Sequence, residues 1–119
     1  MAARFEVVLD DAGRFSFQLC APEGDVLLTS LPEASKIMVQ SGVLNARNSL
    51  RDPDRMVAHN AEDGSHFAVL KDRHGEVLAR TSRVASAEAL EQLLETVRTL
   101  GATAPLVDRT KRRPEQAAG

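Results

Sequence analysis

The sequence predicts an α+β protein with one antiparallel sheet of about six to eight strands and two helices packed on one of its faces. Three observations support this: short runs of alternating apolar residues, two apolar stripes at helical spacing, and a pattern that recurs after 51 residues, as from Gly13 to Gly64. A fixed period of this length is typical of a duplicated supersecondary unit. The recurrence matches further identical pairs without a gap: Leu19/Leu70, Gly24/Gly75, Val26/Val77, Leu27/Leu78, Ala34/Ala85, Ser35/Ser86 and Arg47/Arg98.

The first part of the chain has the pattern of three short strands joined by tight turns. Turn residues occupy 10–13 and 22–24, and a third, mostly apolar run follows at 25–29. Short loops between extended runs predict an antiparallel meander. In the first two runs the apolar residues alternate with others, at Phe5, Val7 and Leu9 and then at Phe15, Phe17 and Leu19.

A helix follows these strands, because the apolar period changes from two residues to that of a helix. Ser35 is a good N-cap candidate, and Pro53 lies where the helix should have ended. Gly42 predicts a close approach to another element, since a glycine in mid-helix costs about 1 kcal/mol relative to alanine. The alternative is an exposed glycine that the helix merely tolerates. The apolar stripe that should face the core comprises Val39, Val43, Ala46 and Leu50.

The second half repeats this order. An extended run at 55–59 precedes two strands at 65–71 and 76–80, with short polar turns between them. Ser86 is the candidate N-cap of a second helix, and Gly101 is expected to end that helix. Its apolar stripe comprises Leu90, Leu93, Leu94, Val97 and Leu100.

One last short strand is predicted at 105–107, followed by a flexible C-terminal tail at 111–119. The chain is therefore expected to form a single domain over residues 1–110. That domain would consist of two repeats, at about 4–54 and 55–110.

Composition argues against several classes of function. The formal net charge is −2, with 15 basic and 17 acidic residues, so no long-range attraction to nucleic acid or anionic membranes is expected. Tryptophan and tyrosine are absent, which leaves few groups for base stacking. The N-terminus lacks the apolar core of a signal peptide, no segment is long enough to span a membrane, and Cys20 is the lone cysteine. These features predict a cytoplasmic protein.

The residues that could carry chemistry do not form a catalytic pattern. His59, His66 and His74 lack the short spacing of a metal site, and Cys20 has no evident base partner. We therefore expect no catalytic residue, no metal and no cofactor. A generic anion site remains possible at the helix N-termini, formed by Ser35, Lys36 and Ser86. Simple N-capping explains both serines equally well.

The sheet face away from the helices is a candidate interface. Strand alternation places several apolar residues there, namely Val8, Leu27, Val57, Phe67, Val69 and Leu78. An apolar patch on a monomer usually marks an interaction surface. A one-residue register change in the second half would instead send Phe67 and Val69 inward and expose His66 and Ala68. The sequence leaves both alternatives open.

The repeated elements resemble the YegP-like family of uncharacterised small bacterial proteins. The resemblance covers residues 5–110 and rests on the order and doubling of short motifs: Phe5-Glu6-Val7, Gly13 to Leu19, Gly24 to Ser30, Ser35, Asp63-Gly64, Leu70-Lys71, Gly75 to Leu78 and Ser86. It implies tandem β(3)-α-β units, or a homodimer of single units, that merge into one sheet and exchange their last strands. Those strands would be 55–59 and 104–109, although the repeat frame also allows 55–59 to begin the second unit.

The family resemblance implies no catalytic residues, so the function must be inferred from the surface. The first hypothesis is a non-catalytic module that binds a small ligand, an unknown protein partner, or a second copy through the exposed sheet face. The alternative is nucleic-acid or nucleotide-phosphate binding through the helix N-termini and a basic tail. The charge balance does not favour nucleic acid. A contiguous basic face would promote this alternative. The tail comprises Arg109, Lys111, Arg112 and Arg113.

Overall fold

Seven strands and two helices make up the fold of residues 2–110, the part of the chain that the structure, a computed structural model, describes. The predicted tail at 111–119 lies outside these residues. The α+β class and the element order agree with the sequence prediction. The strands are β1 (Arg4–Leu9), β2 (Phe15–Cys20), β3 (Val26–Ser30), β4 (Met56–Asn60), β5 (His66–Lys71), β6 (Val77–Thr81) and β7 (Leu106–Asp108).

The seven strands form one mixed sheet in the order β4-β5-β6-β3-β2-β1-β7. Five pairings are antiparallel, but β7 runs parallel to β1, with Phe5 opposite Leu106 and Val7 opposite Asp108. The expectation of a wholly antiparallel sheet is therefore wrong at this edge. Because β1 and β7 are far apart in sequence, no hairpin fixes their relative direction.

The helices α1 (Lys36–Leu50) and α2 (Ala87–Gly101) begin as the sequence predicts. The Ser35 hydroxyl accepts a hydrogen bond from the backbone N–H of Met38, and the Ser86 hydroxyl accepts one from Ala89. Both helices contribute to one core cluster with the sheet, which places them on the same face. After α1 the chain forms a short 3-10 helix, Pro53–Arg55, so the extended run begins at Met56 rather than at residue 55.

The core lies between the helices and one face of the sheet. The predicted stripe of α1 is buried throughout. In α2, Leu90 and Val97 are buried, whereas Leu94 is only partly buried against the core. The largest fully buried side chains are Phe5, Phe17, Leu19, Leu28, Leu70, Val7, Val39, Val43 and Val97.

Two buried hydroxyls, 51 positions apart, bond to neighbouring strands inside this core. The Ser30 hydroxyl accepts a hydrogen bond from the Phe17 N–H at 2.8 Å. The Thr81 hydroxyl accepts one from the Ala68 N–H at 2.9 Å. Each hydroxyl also donates to the next residue's carbonyl oxygen, so no hydrogen-bonding group at these sites is left unpaired.

Gly101 does not end α2 in the way the sequence suggests. It is the last helical residue, and positive φ angles occur among the described glycines only at Gly13, Gly24, Gly64 and Gly75. The glycine is required there by packing, because a Cβ at Gly101 would lie 2.5 Å from Leu50 Cδ1. By contrast, a Cβ at Gly42 would lie 3.4 Å from the Phe17 ring, an ordinary contact distance.

Candidate functional site

The sheet face opposite the helices, here called the outer face, carries Phe67 and Val69 of β5. Their neighbours Ala68 and Leu70 are fully buried in the core cluster, so alternation turns Phe67 and Val69 away from the helices. The alternative register, with His66 and Ala68 facing outward, is therefore wrong. Phe67 remains partly exposed on this outer face, and Val69 is 8% exposed.

Phe67 stands within a layer of aromatic and cationic groups. The His59 ring on β4 stacks against it with a centroid distance of 5.5 Å and an interplanar angle of 19°. The guanidinium carbons of Arg80 and Arg83 lie 5.5 and 5.6 Å from the centre of the Phe67 ring. Such cation–π contacts each contribute about 0.5–1 kcal/mol at exposed sites. Val57 and Val69 are paired directly beside this layer, where Val69 also faces Arg80.

We call these side chains the Phe67 cluster: Val57, His59, Phe67, Val69, Arg80 and Arg83. Arg83 lies 3.6 Å from the Asp63 carboxylate, but both side chains are more than half exposed, so this pair contributes little. Hydrogen bonds from Ser65, followed by the nearby Arg83 charge, lower the pKa of Asp63. Arg80 is exposed and forms no ion pair among residues 2–110. The cluster thus combines an apolar centre with an uncompensated positive charge.

Three of the six interface residues expected from the sequence do not join this cluster. Val8 lies on β1, four strands away from β5, at a distance of about 19 Å across the sheet. Leu27 and Leu78 are the extra residues at two β-bulges, because Cys20 pairs with Val26 while Leu19 pairs with Leu28, and the register shifts in the same way after Leu70. A bulge re-aims the side chain, and both leucines are partly buried against the core.

A second polar group lies on β1 at the other end of the outer face. The carboxylate of Glu6 is held between Arg4, at 2.6 Å, and Arg109, at 3.3 Å. The hydrogen bond from Arg4, supplemented by Arg109, lowers the pKa of Glu6 despite the opposing effect of desolvation. Because the Glu6 side chain is only 13% exposed, the three groups form a compact structural ion-pair network.

The candidate anion site is not assembled around free groups. The hydroxyls of Ser35 and Ser86 cap their own helices, and the Lys36 ammonium forms an ion pair with Asp108 at 3.0 Å. The carboxylate of Asp108 has a lowered pKa, mainly because the Thr110 hydroxyl and N–H donate to it against the cost of desolvation. Binding of an anion at the helix N-termini stays a prediction that rests on backbone N–H groups alone.

The remaining candidates lie apart from the Phe67 cluster. Cys20 is buried at the end of β2, and burial raises the pKa of its thiol, which makes the thiolate scarce. Within residues 2–110 no three metal-binding side chains of the usual types come together. No helix in the described part has the length and apolarity to cross a membrane.

One cleft of the described residues has a volume of about 600 Å³. It lies between the second half of α1, the short 3-10 helix and the turn after β5. Asp72 accepts backbone hydrogen bonds from His74 and Glu76 in this turn, and these bonds lower its pKa. The lining is polar and mixed in charge, consisting of Asn45, Asn48, Ser49, Arg55, Asp72, Arg73 and His74.

Strand alternation in the sequence left the face of Phe67 open between two registers and did not identify the arginines around it. The alternation that puts Val69 on the outer face also puts Arg80 there, since the two are paired across β5 and β6. The two-residue alternation of strand side chains could therefore have indicated that Arg80 lies on the outer face. Arg83 lies beyond the end of β6, where alternation no longer applies, and no sequence signal placed it over Phe67.

Comparisons with known proteins agree with the fold just described. No protein-family model matches the chain. The UPF0339 protein YegP of Escherichia coli strain K12 is 26% identical over 110 residues, which cover 92% of this chain and 100% of that protein. A UPF0339 protein of Pseudomonas aeruginosa is 28% identical over 108 residues, covering 91% of this chain and 98% of its own length. This chain is similar to the UPF0339 proteins along nearly its whole length. The YegP-like resemblance found in the sequence is thereby confirmed.

Two solution NMR structures share the fold. That of the E. coli protein of unknown function yegP has a TM-score of 0.86 and 25% identity, and the match covers 95% of this chain and 97% of that one. A UPF0339 protein from Shewanella oneidensis has a TM-score of 0.84 and 21% identity, with coverage of 91% and 92%. The UPF0339 homologues are uncharacterised, so they supply a fold and no activity.

Proposed function

We propose that this chain is a non-catalytic binding module whose binding surface is the Phe67 cluster. The observation that carries this proposal is the position of Phe67, partly exposed on a sheet face without helices and flanked by two guanidinium groups. The buried thiol of Cys20 suits a reducing compartment, so we place the protein in the cytoplasm.

We further propose that the module arose as a tandem pair of β(3)-α-β units, about 4–54 and 55–110. The matching registers of the two hairpins support a tandem pair. Phe5 faces Leu19 in the β1–β2 hairpin, and their counterparts 51 residues later, Met56 and Leu70, face each other between β4 and β5. On this reading β4 begins the second unit, and β7 is an additional strand.

The partner that fits the Phe67 cluster is a protein with an acidic surface. Arg80 and Arg83 offer planar donors that bind carboxylates in a bidentate manner, and the valines beside Phe67 supply apolar area. Arginine and aromatic residues are also the types that dominate binding energy at interfaces. A second copy docking face to face would oppose like charges, so an acidic partner is favoured over self-association at this surface.

Capture from bacterial lysate tests the proposal with Phe67→Glu as the variant. We expect one or more proteins that the wild-type chain retains to be lost, while circular dichroism and melting stay those of a folded protein. Ile37→Glu is the matched control, because Ile37 is 74% exposed on α1, away from the outer face. Equal capture by the wild type and both variants would contradict the proposal.

A second candidate function is binding of single-stranded nucleic acid at the same cluster. The uncompensated charge of Arg80 beside an aromatic pair favours it, because such proteins combine cationic grooves with stacking side chains. In this second proposal, the basic groups that contact phosphate lie on the outer face, whereas the sequence led us to expect them at the helix N-termini. The basic tail expected to contribute lies mostly beyond the described residues.

Fluorescence anisotropy with a labelled oligothymidylate at low salt tests this second candidate. Binding should weaken at least about tenfold in the double variant Arg80→Glu/Arg83→Glu and should fall steeply with added salt. The double variant Arg14→Glu/Arg51→Glu is the matched control, since it makes the same change in net charge at two exposed arginines elsewhere. Absence of binding by the wild type would exclude the second candidate and leave the first untouched.

A further inference from the structure

The two edges of the sheet differ in how their backbone groups are used. On the β1 side, β7 closes the edge: the Phe5 N–H donates to the Pro105 carbonyl at 2.8 Å, and the Arg109 N–H donates to the Val7 carbonyl at 3.1 Å. On the opposite side, β4 pairs only with β5 among the described residues. Nothing in residues 2–110 closes that edge.

The position of β4 matches that of β1 closely enough to show which groups face the open edge. Ala58 lies opposite Ala68 just as, 51 residues earlier in the chain, Val7 lies opposite Phe17. Because Val7 directs its carbonyl toward β7, Ala58 directs its N–H and carbonyl groups away from β5 and into the open edge. Burial shows the same contrast, since Val7 is fully buried and Ala58 is exposed.

Apart from its short length, the open edge lacks the devices that usually prevent strands from pairing between molecules. Natural edge strands carry lysine, proline, a bulge or inward-pointing charges. The β4 sequence Met56–Asn60 contains no lysine, arginine, aspartate, glutamate or proline, and its register with β5 is regular. The β7 edge, in contrast, carries the ion pairs of Asp108 with Lys36 and Arg109 with Glu6.

We propose that β4 pairs antiparallel with β4 of a second copy of this chain, about a twofold axis through Ala58. A residue on such an axis whose N–H and carbonyl both face the partner exchanges two hydrogen bonds with its own symmetry mate. The pairing then places Val57 opposite the partner's His59 and Met56 opposite the partner's Asn60. No like charges meet, and the small Ala58 side chain allows close approach.

The strand is self-complementary, which favours a second copy over an unrelated peptide as its occupant. The joined sheets would bring the valine and aromatic side chains of both outer faces together around Val57 and Phe67. Five residues form a short edge, so the dimer is expected to be weak and reversible, in the range of about 10 µM to 1 mM. The pairing forms through the backbone edge of β4, whereas the acidic partner proposed above would contact side chains of the Phe67 cluster, of which Val57 and His59 lie next to this edge.

Sedimentation equilibrium of the full chain between about 10 µM and 1 mM tests the pairing. Ala58→Pro removes the donor that faces the edge, and edge strands accept proline there without losing their internal pairing. Ala58→Asp places two like charges on the axis. Both variants should weaken the dimer at least about tenfold while melting as folded proteins, whereas Ala58→Ser, which keeps the N–H, should dimerise like the wild type.

Hydrogen exchange at the Ala58 amide supplies an independent readout, with protection expected to rise as the protein concentration rises. A wild-type chain that stays monomeric to about 1 mM would overturn the proposal. A dimer indifferent to both Ala58→Pro and Ala58→Asp would overturn it as well, because another surface would then associate. An Ala58 amide protected in a monomer would show that residues of the same chain cover the edge, which would also overturn it.

Discussion

Gly101 in the last turn of α2 packs directly against Leu50 at the end of α1. A Cβ at Gly101 would stand 2.5 Å from Leu50 Cδ1 and 3.7 Å from both Leu19 and Phe5. Leu50 is 3% exposed and lies within the core, so its side chain has little room to move away. The two helix ends can approach this closely because Gly101 has no side chain.

Gly101→Ala should therefore lower the free energy of unfolding by about 1–3 kcal/mol, the usual cost of overpacking a core. Urea denaturation of the variant and the wild type would measure the difference. The double variant Gly101→Ala/Leu50→Val should recover part of the loss, because the shorter side chain relieves the clash. A fully stable Gly101→Ala would contradict the packing described here.

Gly42→Ala provides the comparison within α1. The added methyl would meet the Phe17 ring at 3.4 Å, a distance that ordinary contacts reach. Gly42 lies in mid-helix, where alanine is favoured by about 1 kcal/mol, so the variant should be as stable as the wild type or more stable by up to that amount. A clear loss of stability would show that the helix cannot tolerate even this contact.

These two glycines show the limits of the sequence prediction. Helix propensity alone predicts a close approach at Gly42 and a helix stop at Gly101, because local preferences describe a helix and say nothing about its neighbour. The approach of α2 to Leu50 depends on long-range packing. The parallel direction of β7 and the bulges at Leu27 and Leu78 also depend on long-range pairing. An alternating pattern shows which face of a strand is apolar, but it shows neither the direction of the neighbouring strand nor the place where a bulge interrupts the alternation.

The element order and the inward faces of β1 and β2 were nevertheless predictable. Alternation placed Phe17 and Leu19 under the helices, because the side-chain period of two holds wherever a strand is regular, whereas for Phe67 it left two registers open. The two arginine side chains that lie over the Phe67 ring were less predictable. Arg80 could be inferred by alternation, whereas Arg83 reaches Phe67 from beyond the strand, in a conformation that the sequence pattern does not describe.

Thr81→Val should destabilise the protein by about 1–3 kcal/mol, although the side chain keeps its volume. The change removes the acceptor for the Ala68 N–H, which lies at 2.9 Å in a buried site and would be left without a partner. Thr81→Ser keeps the hydroxyl and should cost less. Equilibrium unfolding of both variants tests this, and equal stabilities of Thr81→Val and the wild type would show that water reaches the Ala68 N–H.

Replacing a leucine by alanine should reduce the free energy of unfolding more at a fully buried position than at a partly buried one. Leu70→Ala should cost about 2–5 kcal/mol, because Leu70 is fully buried beneath the helices. Leu94→Ala should cost less, about 1–2 kcal/mol, since Leu94 keeps part of its surface in water. Denaturant melts of the two variants would test this order, and a larger loss for Leu94→Ala would place the centre of the core nearer to α2.

Glu6 is expected to make folding depend on pH in the acidic range. The hydrogen bond from Arg4, supplemented by Arg109, lowers the pKa of the folded Glu6 carboxyl below 4.5, its value in the absence of these partners. A carboxyl with a lowered pKa in the folded state binds its proton more weakly there than in the unfolded chain. Its stabilising contribution is therefore complete above pH 4.5 and is lost as the pH falls through the lowered pKa.

Glu6→Gln should consequently reduce the free energy of unfolding near pH 7 by up to about 1 kcal/mol, and the difference from the wild type should shrink below pH 4.5. Urea melts across a series of acidic buffers measure both curves. Glu91→Gln is the control for the change in net charge, because it removes an exposed carboxylate of α2 that forms no ion pair among residues 2–110. A carboxyl that stabilises only when ionised must lose its effect on protonation. If the free-energy difference between Glu6→Gln and the wild type did not change with pH, the contacts of Glu6 with Arg4 and Arg109 would therefore contribute nothing to stability.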